Sequence, residues 1–375
     1  MPGVLPATFM RGGTSKALML RRADLPADVA AWDPPLLTAM GSPDPYGRQL
    51  NGMGGGLSSL SKVCVVGPSA LPEADIDFTF AQVQIRRALV DYSGNCGNMT
   101  AAIGPFALHA GLLRRADGPT SVTIFNTNTS KFVRASFDVV DGLALEEGDL
   151  AIPGVAGTGA PVRLVFIDPG GPATGRLLPS GRPTDQLRTD AGTFTVSMVD
   201  AGNACVFVPA SELELSGVEL PEAIESRADV LSALATIRAH AAVRMGLASS
   251  VLAADDRPLT PFVAMVGPPS PYASSDGAIV GADDYNLAVR YMSNGQAHRA
   301  IPGTGALCCA VAARIPGSVV SDNVQGSAHG ALRLSTPAGV MTVDALVEAR
   351  DGAYVARSAT TYRTFRRLFT GEVFT

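Results

Sequence analysis

This 375-residue chain is poor in lysine: of its 29 Lys and Arg residues, only Lys16, Lys62 and Lys131 are lysines. Where a positive charge alone is needed, the chain therefore mostly uses Arg. Arg keeps its proton in proteins, whereas a desolvated Lys can lose it near neutral pH and act as a base. Lys62 follows a glycine- and serine-rich loop and is a candidate for such a site. Lys131 is typical of a surface strand.

Charged residues are also scarce, at 17% of the chain against 46% hydrophobic residues, and the formal net charge is −5. The sequence has no basic run and no zinc-finger spacing, which argues against a nucleic-acid partner. It has no stretch of about eighteen apolar residues, which argues against a membrane span. The first residues lack the basic region of a secretory signal. We therefore expect a compact, cytoplasmic globular protein.

Cysteine and histidine are few and scattered. The five cysteines form an odd set without metal-type spacing, and no histidine has another histidine four residues away. The residues are Cys64, Cys96, Cys205, Cys308, Cys309, His109, His240, His298 and His329. The sequence thus predicts neither disulfides nor a metal site.

Two glycine-rich segments in the first half carry the chemistry. Residues 52–62 (Gly-Met-Gly-Gly-Gly-Leu-Ser-Ser-Leu-Ser-Lys) end at Lys62, and residues 93–98 (Ser-Gly-Asn-Cys-Gly-Asn) place Cys96 before an apolar helix predicted at 99–113. Asn98 is the expected N-cap of that helix. A helix N-terminus offers backbone N–H groups to an anion and favours a thiolate. Together, the segments predict proton transfer on a small, negatively charged organic acid.

The second half repeats this pattern. Its glycine turn at 303–305 precedes an apolar helix predicted at 306–313, and strands precede the helix in both halves. This internal repeat predicts two similar domains, with a boundary near residues 179–186. The expected domains are residues 1–182, joined by a closing strand at about 360–375, and residues 183–375. If the halves face each other, both helix N-termini point into one cleft, which suits two or three carboxylates.

Several segments resemble the PrpF family of unsaturated polycarboxylate isomerases. The matching segments are residues 10–16 (Met-Arg-Gly-Gly-Thr-Ser-Lys), 41–47 (Gly-Ser-Pro-Asp-Pro-Tyr-Gly), 51–56, 61–62, 93–98, 104–106, 237–240, 244–247 and 303–304. The resemblance implies an α/β chain of two diaminopimelate epimerase-like domains, each a curved, mostly antiparallel sheet or barrel around a buried helix. It also implies proton transfer next to a carboxylate, without metal or organic cofactor.

The resemblance makes Lys62 the general base and Cys96 a second acid/base group or a carboxylate contact. Pro302 stands where related epimerases carry a second cysteine, which disfavours a two-cysteine racemase. The expected substrate-binding residues are Thr14, Ser15, Lys16, Ser58, Ser61, Asn95, Gly97, Asn98, His298, Gly303, Thr304 and Gly305.

The expected substrate is an unsaturated di- or tricarboxylate of the 2-methylaconitate or aconitate type. An oxalomesaconate-like acid is an alternative, and so is an accessory role that protects a partner dehydratase. Asn51 stands where many family members have an acidic residue, and Ala17 where a glycine is common, so the sequence leaves the substrate open. It also leaves open whether the double bond rotates or migrates, and whether the protein forms a homodimer.

Overall fold

The computed structural model describes residues 3–256, 260–293, 295–326, 330–350 and 352–375. The chain divides into two compact units. The first consists of Met1–Val165 and Tyr362–Thr375, and the second of Phe166–Thr361. The boundary expected near residue 182 lies within the second unit, and the domain assignment made from the sequence stays a prediction.

The first unit combines runs of strands with the helices α1 and α2. Its elements are β1 (Val4–Gly12), β2 (Ser15–Arg21), α1 (Asp33–Met40), β3 (Lys62–Pro68), β4 (Ile76–Val83), β5 (Val90–Asp91), α2 (Gly97–His109), β6 (Gly118–Asn126), β7 (Lys131–Val140), β8 (Leu143–Ala144), β9 (Leu150–Ala151) and β10 (Thr158–Gly159). β11 (Val162–Ile167) then carries the chain into the second unit.

The second unit begins after that strand. Its elements are β12 (Asp185–Thr189), β13 (Gly192–Ala201), β14 (Asn203–Pro209), α3 (Pro221–Glu225), α4 (Ala228–Arg244), β15 (Phe262–Gly267), β16 (Tyr272–Ala273), β17 (Ile279–Val280), β18 (Leu287–Ser293), β19 (Gln296–Ala297), α5 (Gly303–Ala312), α6 (Val319–Asn323), β20 (Leu332–Thr336) and β21 (Gly339–Arg350). β22 (Ala353–Arg363) returns the chain to the first unit, where β23 (Phe365–Phe374) pairs antiparallel with β1.

Both units pair their strands in the same order. In the first unit, β1–β2 is an antiparallel hairpin, β2–β3 is parallel, β3–β4 antiparallel, β4–β6 parallel and β6–β7 antiparallel. In the second unit, β13–β14, β14–β15, β15–β18, β18–β20 and β20–β21 follow the same sequence of antiparallel and parallel pairs. Parallel neighbours need a crossover connection, usually a helix. The second parallel pair of each unit is thus connected through its buried helix, α2 or α5.

α2 is the central helix of the first unit. Its residues from Gly97 to Leu108 are all buried, and it packs against β1, β2, β3, β6 and β7. A helix that is apolar on every side requires such an enclosed position. Gly104 permits close approach to β7, because a Cβ there would lie 2.7 Å from the Phe137 ring. α2 ends at His109, two residues before Gly111, which adopts a left-handed φ of +69°.

A second apolar cluster lies on the opposite face of the first unit's strands. It joins side chains of β1, β2 and β3 to Trp32 and to Leu36 and Met40 of α1. The strands of the first unit are therefore covered on both faces, by α1 and by α2. None of the helices within the described residues has both the length and the apolar character that crossing a bilayer requires.

Candidate active site

The loop before β3 is organised by a buried glutamine, Gln49, which adopts a left-handed φ of +55°. Its Nε2 group donates to the hydroxyl oxygens of Ser42 at 2.9 Å and Ser61 at 2.7 Å, and its Oε1 accepts from the backbone N–H of Gly56 at 3.1 Å. The Ser61 hydroxyl in turn donates to the backbone carbonyl of Val83 at 2.8 Å. The glycine- and serine-rich loop is thus tied to the strand β4 that flanks Lys62.

Lys62 is the first residue of β3, and its side chain is only 8% exposed. Val63, its neighbour, pairs with Leu18 and belongs to the cluster on the α1 face. Because side chains alternate along a strand, Lys62 points to the opposite face, where α2 lies. Its Nζ donates to Gln82 Oε1 at 2.5 Å and lies 4.9 Å from the centroid of the Phe80 ring.

The environment of Lys62 favours the neutral amine. Burial lowers the pKa of Lys62 below its usual value, and a negative charge at Cys96 or Cys64 acts in the opposite direction. Burial also raises the pKa of the Cys64 thiol well above its usual value, so Cys64 stays uncharged near neutral pH. A neutral amine in an apolar setting is the form that can accept a proton from carbon.

Cys96 is the N-cap of α2, with extended backbone, and it is buried. The sequence placed the N-cap at Asn98, and this prediction is wrong: Asn98 is the second residue of the helix. Its side chain is directed to the β1–β2 hairpin, where Nδ2 donates to the Thr14 hydroxyl at 3.1 Å. The first backbone N–H groups of a helix have no intrahelical acceptor, and no side chain caps those of α2, so this N-terminus is suited to bind an anion beside Cys96.

The β1–β2 hairpin turn lies directly against this helix N-terminus. A Cβ on Gly13 would come within 2.3 Å of Asn98 Oδ1, and a Cβ on Gly12 within 2.7 Å of the Asn98 carbonyl oxygen. Gly13 has a left-handed φ of +50°, and its N–H donates to the carbonyl of Thr364 at 2.9 Å. Glycine at both positions is therefore a packing requirement of the contact between hairpin and helix.

A buried arginine, Arg363, completes this region and was not identified from the sequence. Its Nε donates to Asn98 Oδ1 at 2.9 Å, and its Nη1 donates to the carbonyl of Tyr362 at 2.8 Å. Burial lowers the pKa of Arg363 to about 10, and a negative charge at Cys96 raises it. A guanidinium with this pKa is still charged near neutral pH. Arg363 therefore adds a fixed positive charge to the N-terminus of α2.

The other predicted residues of the first unit lie on the α2 face, on the opposite face or in the loop before β3. Ser15 pairs with Gly12 on the α2 face and is buried, whereas Lys16 points to the opposite face, its Nζ 5.7 Å from the Phe9 ring centroid. Ser58 is half-buried in the loop, and its carbonyl accepts from Gln82. The structure thus groups Lys62, Cys96, Thr14, Ser15, Gly97 and Asn98 around the start of α2, and it directs Lys16 elsewhere.

Asn95 lies in the turn just before Cys96 and is buried. Its Oδ1 accepts a 3.0 Å hydrogen bond from Asn126 Nδ2 at the end of β6. The bond fixes the amide of Asn95, so that its own N–H groups point away from Asn126. A role for Asn95 as a donor to the substrate stays a prediction.

In the second unit, Gly303, Thr304 and Gly305 form the first turn of α5 and are buried, with Pro302 as the N-cap. A Cβ on Gly305 would lie 2.8 Å from the ring of Tyr291, whose hydroxyl donates to the Gly305 carbonyl at 2.6 Å. His298 is half-buried, and its Nδ1 accepts from the Ala300 N–H at 3.1 Å. The contacts of Gly305 and His298 lie within their own unit, and a contact of any of these four residues with substrate stays a prediction.

The part of the chain that the structure describes contains no group of three or more His, Cys, Asp or Glu side chains arranged to hold a metal ion. His329, one of the four histidines considered above, lies outside the described residues.

A family model described as "PrpF protein" matches residues 4–375. The chain is 40% identical to the 3-methylitaconate isomerase of Eubacterium barkeri over 99% of this chain and 97% of that protein. It is 40% identical to the 2-methyl-aconitate isomerase of Shewanella oneidensis, with 98% and 96% covered. It is 37% identical to the (4E)-oxalomesaconate Delta-isomerase of a Novosphingobium strain, with 98% and 97% covered.

Solved structures of similar fold include an isomerase and an epimerase. A crystal structure of methylitaconate-delta-isomerase is 40% identical and superposes with a TM-score of 0.82, over 100% of this chain and 96% of that one. A hydroxyproline epimerase from Agrobacterium vitis is 12% identical and has a TM-score of 0.55, with 99% and 92% covered. The mixed α/β, epimerase-like fold expected from the sequence is thus confirmed, and the closure of each domain as a barrel stays a prediction.

Proposed function

Because this chain belongs to the PrpF family, we propose that it isomerises an unsaturated tricarboxylate of the 2-methylaconitate or aconitate type. It is an enzyme of the isomerase class, as are relatives 40% identical to it over nearly its whole length. The observation that carries the proposal is the buried Lys62 amine. It faces α2, whose N-cap is Cys96 and whose first turn binds the guanidinium of Arg363 through Asn98. This arrangement combines a base with a site for carboxylates.

The proposed reaction begins with proton abstraction. The lone pair of neutral Lys62 Nζ takes a proton from the carbon allylic to a carboxylate: a C–H bond breaks, an N–H bond forms, and the electron pair spreads over the double bond and the carboxylate. The resulting dienolate carries additional negative charge. Return of a proton to the other end of the allylic system, or to the same carbon after rotation, restores a neutral base and completes the isomerisation.

The start of α2 stabilises the dienolate. Preorganised donors aimed at developing charge lower a barrier by about 3–4 kcal/mol for each good donor. The backbone N–H groups of Gly97 and Asn98 and the charge on Arg363 are fixed before substrate binds, because Asn98 is held by both Thr14 and Arg363. Cys96 either donates the returning proton to carbon, with its thiolate then taking up the proton held by the Lys62 ammonium, or contacts a carboxylate as a neutral thiol.

Two other substrates are supported by the relatives. The name of the Eubacterium barkeri enzyme indicates an unsaturated dicarboxylate, and that of the Novosphingobium enzyme an oxalomesaconate. Incubating the protein with a panel of 2-methylaconitate, aconitate, 3-methylitaconate and oxalomesaconate, followed by proton NMR, discriminates among them. We expect 2-methylaconitate or aconitate to be converted at the highest kcat/KM. Failure to convert any member of the panel would contradict the proposed function.

The pH dependence of kcat/KM should show the ionisation of Lys62. Burial lowers the pKa of Lys62 below 10.5. As the pH rises through this lowered pKa, the ammonium loses its proton, and kcat/KM should increase. The same shift has a consequence for folding: the unfolded chain binds this proton more tightly, so Lys62 makes the folded protein less stable as the pH falls. A pH–rate profile measured from pH 5 to 10 tests the rising limb, and a flat profile would contradict a lysine base.

A further inference from the structure

Gln82 faces Lys62 across the β3–β4 ladder, where the two residues are directly paired. Gln82 is only 2% exposed, and its amide has three partners in the structure. Nε2 donates to the backbone carbonyls of Ser61 at 2.8 Å and Ser58 at 3.1 Å, and Oε1 accepts from Lys62 Nζ at 2.5 Å. The side chain therefore connects the loop before β3 to the amine of Lys62.

These partners determine which way the amide faces. A backbone carbonyl oxygen can only accept hydrogen bonds, so the NH₂ group of Gln82 must face Ser58 and Ser61. The carbonyl oxygen is thereby left to face Lys62. An oxygen at this place accepts one N–H of the amine in either protonation state, and it leaves the lone pair of the neutral amine directed away from Gln82.

The charge of the partner is equally important. A carboxylate at this distance would form an ion pair with Lys62 and hold the proton on the amine. The amide accepts the same hydrogen bond without a negative charge. Among protein side chains, glutamine thus combines an acceptor for Lys62, two donors for the loop and no net charge.

We propose that Gln82 is a positioning residue for Lys62: it fixes the direction of the amine lone pair and keeps the amine free to take up a proton. This inference rests on the proposed function, in which Lys62 is the base. It predicts two opposite effects of substitution. Gln82→Glu should raise the pKa of Lys62, whereas Gln82→Met, which removes the acceptor at similar volume, should lower it, because the hydrogen bond favours the ammonium form.

The scarcity of lysine makes the test direct. Labelling the protein with ¹³Cε-lysine gives signals from three residues only, and the signal missing in Lys62→Arg identifies Lys62. Its titration reports the pKa without any need for turnover. Gln82→Met should also lower kcat by about 10²-fold, the usual cost of a misplaced reacting group. In Gln82→Glu, the rising limb of the pH–rate profile should move to higher pH, so that raising the pH restores part of the activity.

Gln49 provides the matched control. It is also a buried glutamine that organises this loop, but its bonds go to Ser42, Ser61 and Gly56, with none to Lys62 among the described residues. Gln49→Met should lower the thermal stability of the protein and leave the pKa of Lys62 unchanged. If Gln49→Met shifts that pKa as much as Gln82→Met does, the effect passes through the loop and the inference is wrong.

An unchanged pKa of Lys62 in both Gln82 variants would overturn the inference as well. This result is distinguishable from a failure of the proposed function. If Lys62 is not the base, the titration of Lys62 still shifts in opposite directions in the two variants, whereas the pH–rate profile does not follow it. Circular dichroism on each variant confirms that the titration is measured on folded protein.

Discussion

Replacing Lys62 by Ala should lower kcat by about 10²–10⁴-fold, the range expected when a general base is removed. Lys62→Arg should be nearly as inactive, because the guanidinium keeps its proton and cannot accept one from carbon. Steady-state assays with the preferred unsaturated acid measure both effects. The Arg variant is the more informative one, since it retains the positive charge and most of the side-chain volume at the start of β3.

Two further variants give this prediction its controls. Lys131→Arg makes the same chemical change at the first residue of β7, on a half-buried strand end, and should keep native activity. Cys96→Ser should retain more activity than Lys62→Ala if the lysine serves both proton transfers. Native kcat in Lys62→Arg would show that the lysine is structural.

Gly13→Ala should destabilise the protein by disrupting the contact between the β1–β2 hairpin and the N-terminus of α2. The left-handed backbone of Gly13 costs an alanine about 1–2 kcal/mol. The added Cβ would also lie 2.3 Å from Asn98 Oδ1, and overpacking of this kind costs about 1–3 kcal/mol more. Displacing Asn98 breaks its bonds to Thr14 and Arg363, so KM for the carboxylate substrate should rise as well.

Gly111→Ala separates these two contributions. Gly111 has a similar left-handed φ of +69°, but a Cβ there would have no neighbour within 4 Å among the described residues. Its substitution should carry the backbone cost alone and leave KM unchanged. Urea unfolding of both variants measures the difference. Equal losses of stability, together with a native KM in Gly13→Ala, would show that the hairpin does not position Asn98.

The buried helices could be predicted from the sequence because their signals are local. An apolar run after a glycine-rich turn predicts α2, and the structure extends it two residues toward the N-terminus, to Gly97. The predicted end at residue 113 was too late, because Gly111 terminates the helix in left-handed conformation. Asn98 was misassigned as the N-cap because a favourable cap residue does not reveal a competing partner such as Thr14, which lies 84 positions away.

Gln82 and Arg363 could not be identified because their importance depends on distant parts of the chain. Gln82 is a polar residue near the end of β4, and the register that places it opposite Lys62 is set by the β3–β4 pairing. Arg363 precedes two further arginines, Arg366 and Arg367, and resembles them in sequence. Its burial against Asn98 follows from the return of β22 and β23 to the first unit. The register of two strands, and the path by which β22 and β23 lead the chain back to the first unit, depend on the whole fold and not on the local sequence.

The most direct test of the account is deuterium incorporation in D₂O, followed by NMR on the preferred substrate with the native protein and with Lys62→Arg. An amine that removes and returns allylic protons exchanges them with solvent, so the native protein should place deuterium at the allylic carbon during isomerisation. Lys62→Arg should isomerise and exchange more slowly by about 10²-fold or more while remaining folded. Isomerisation and deuterium exchange at the native rate in Lys62→Arg would contradict the central claim that Lys62 carries the proton.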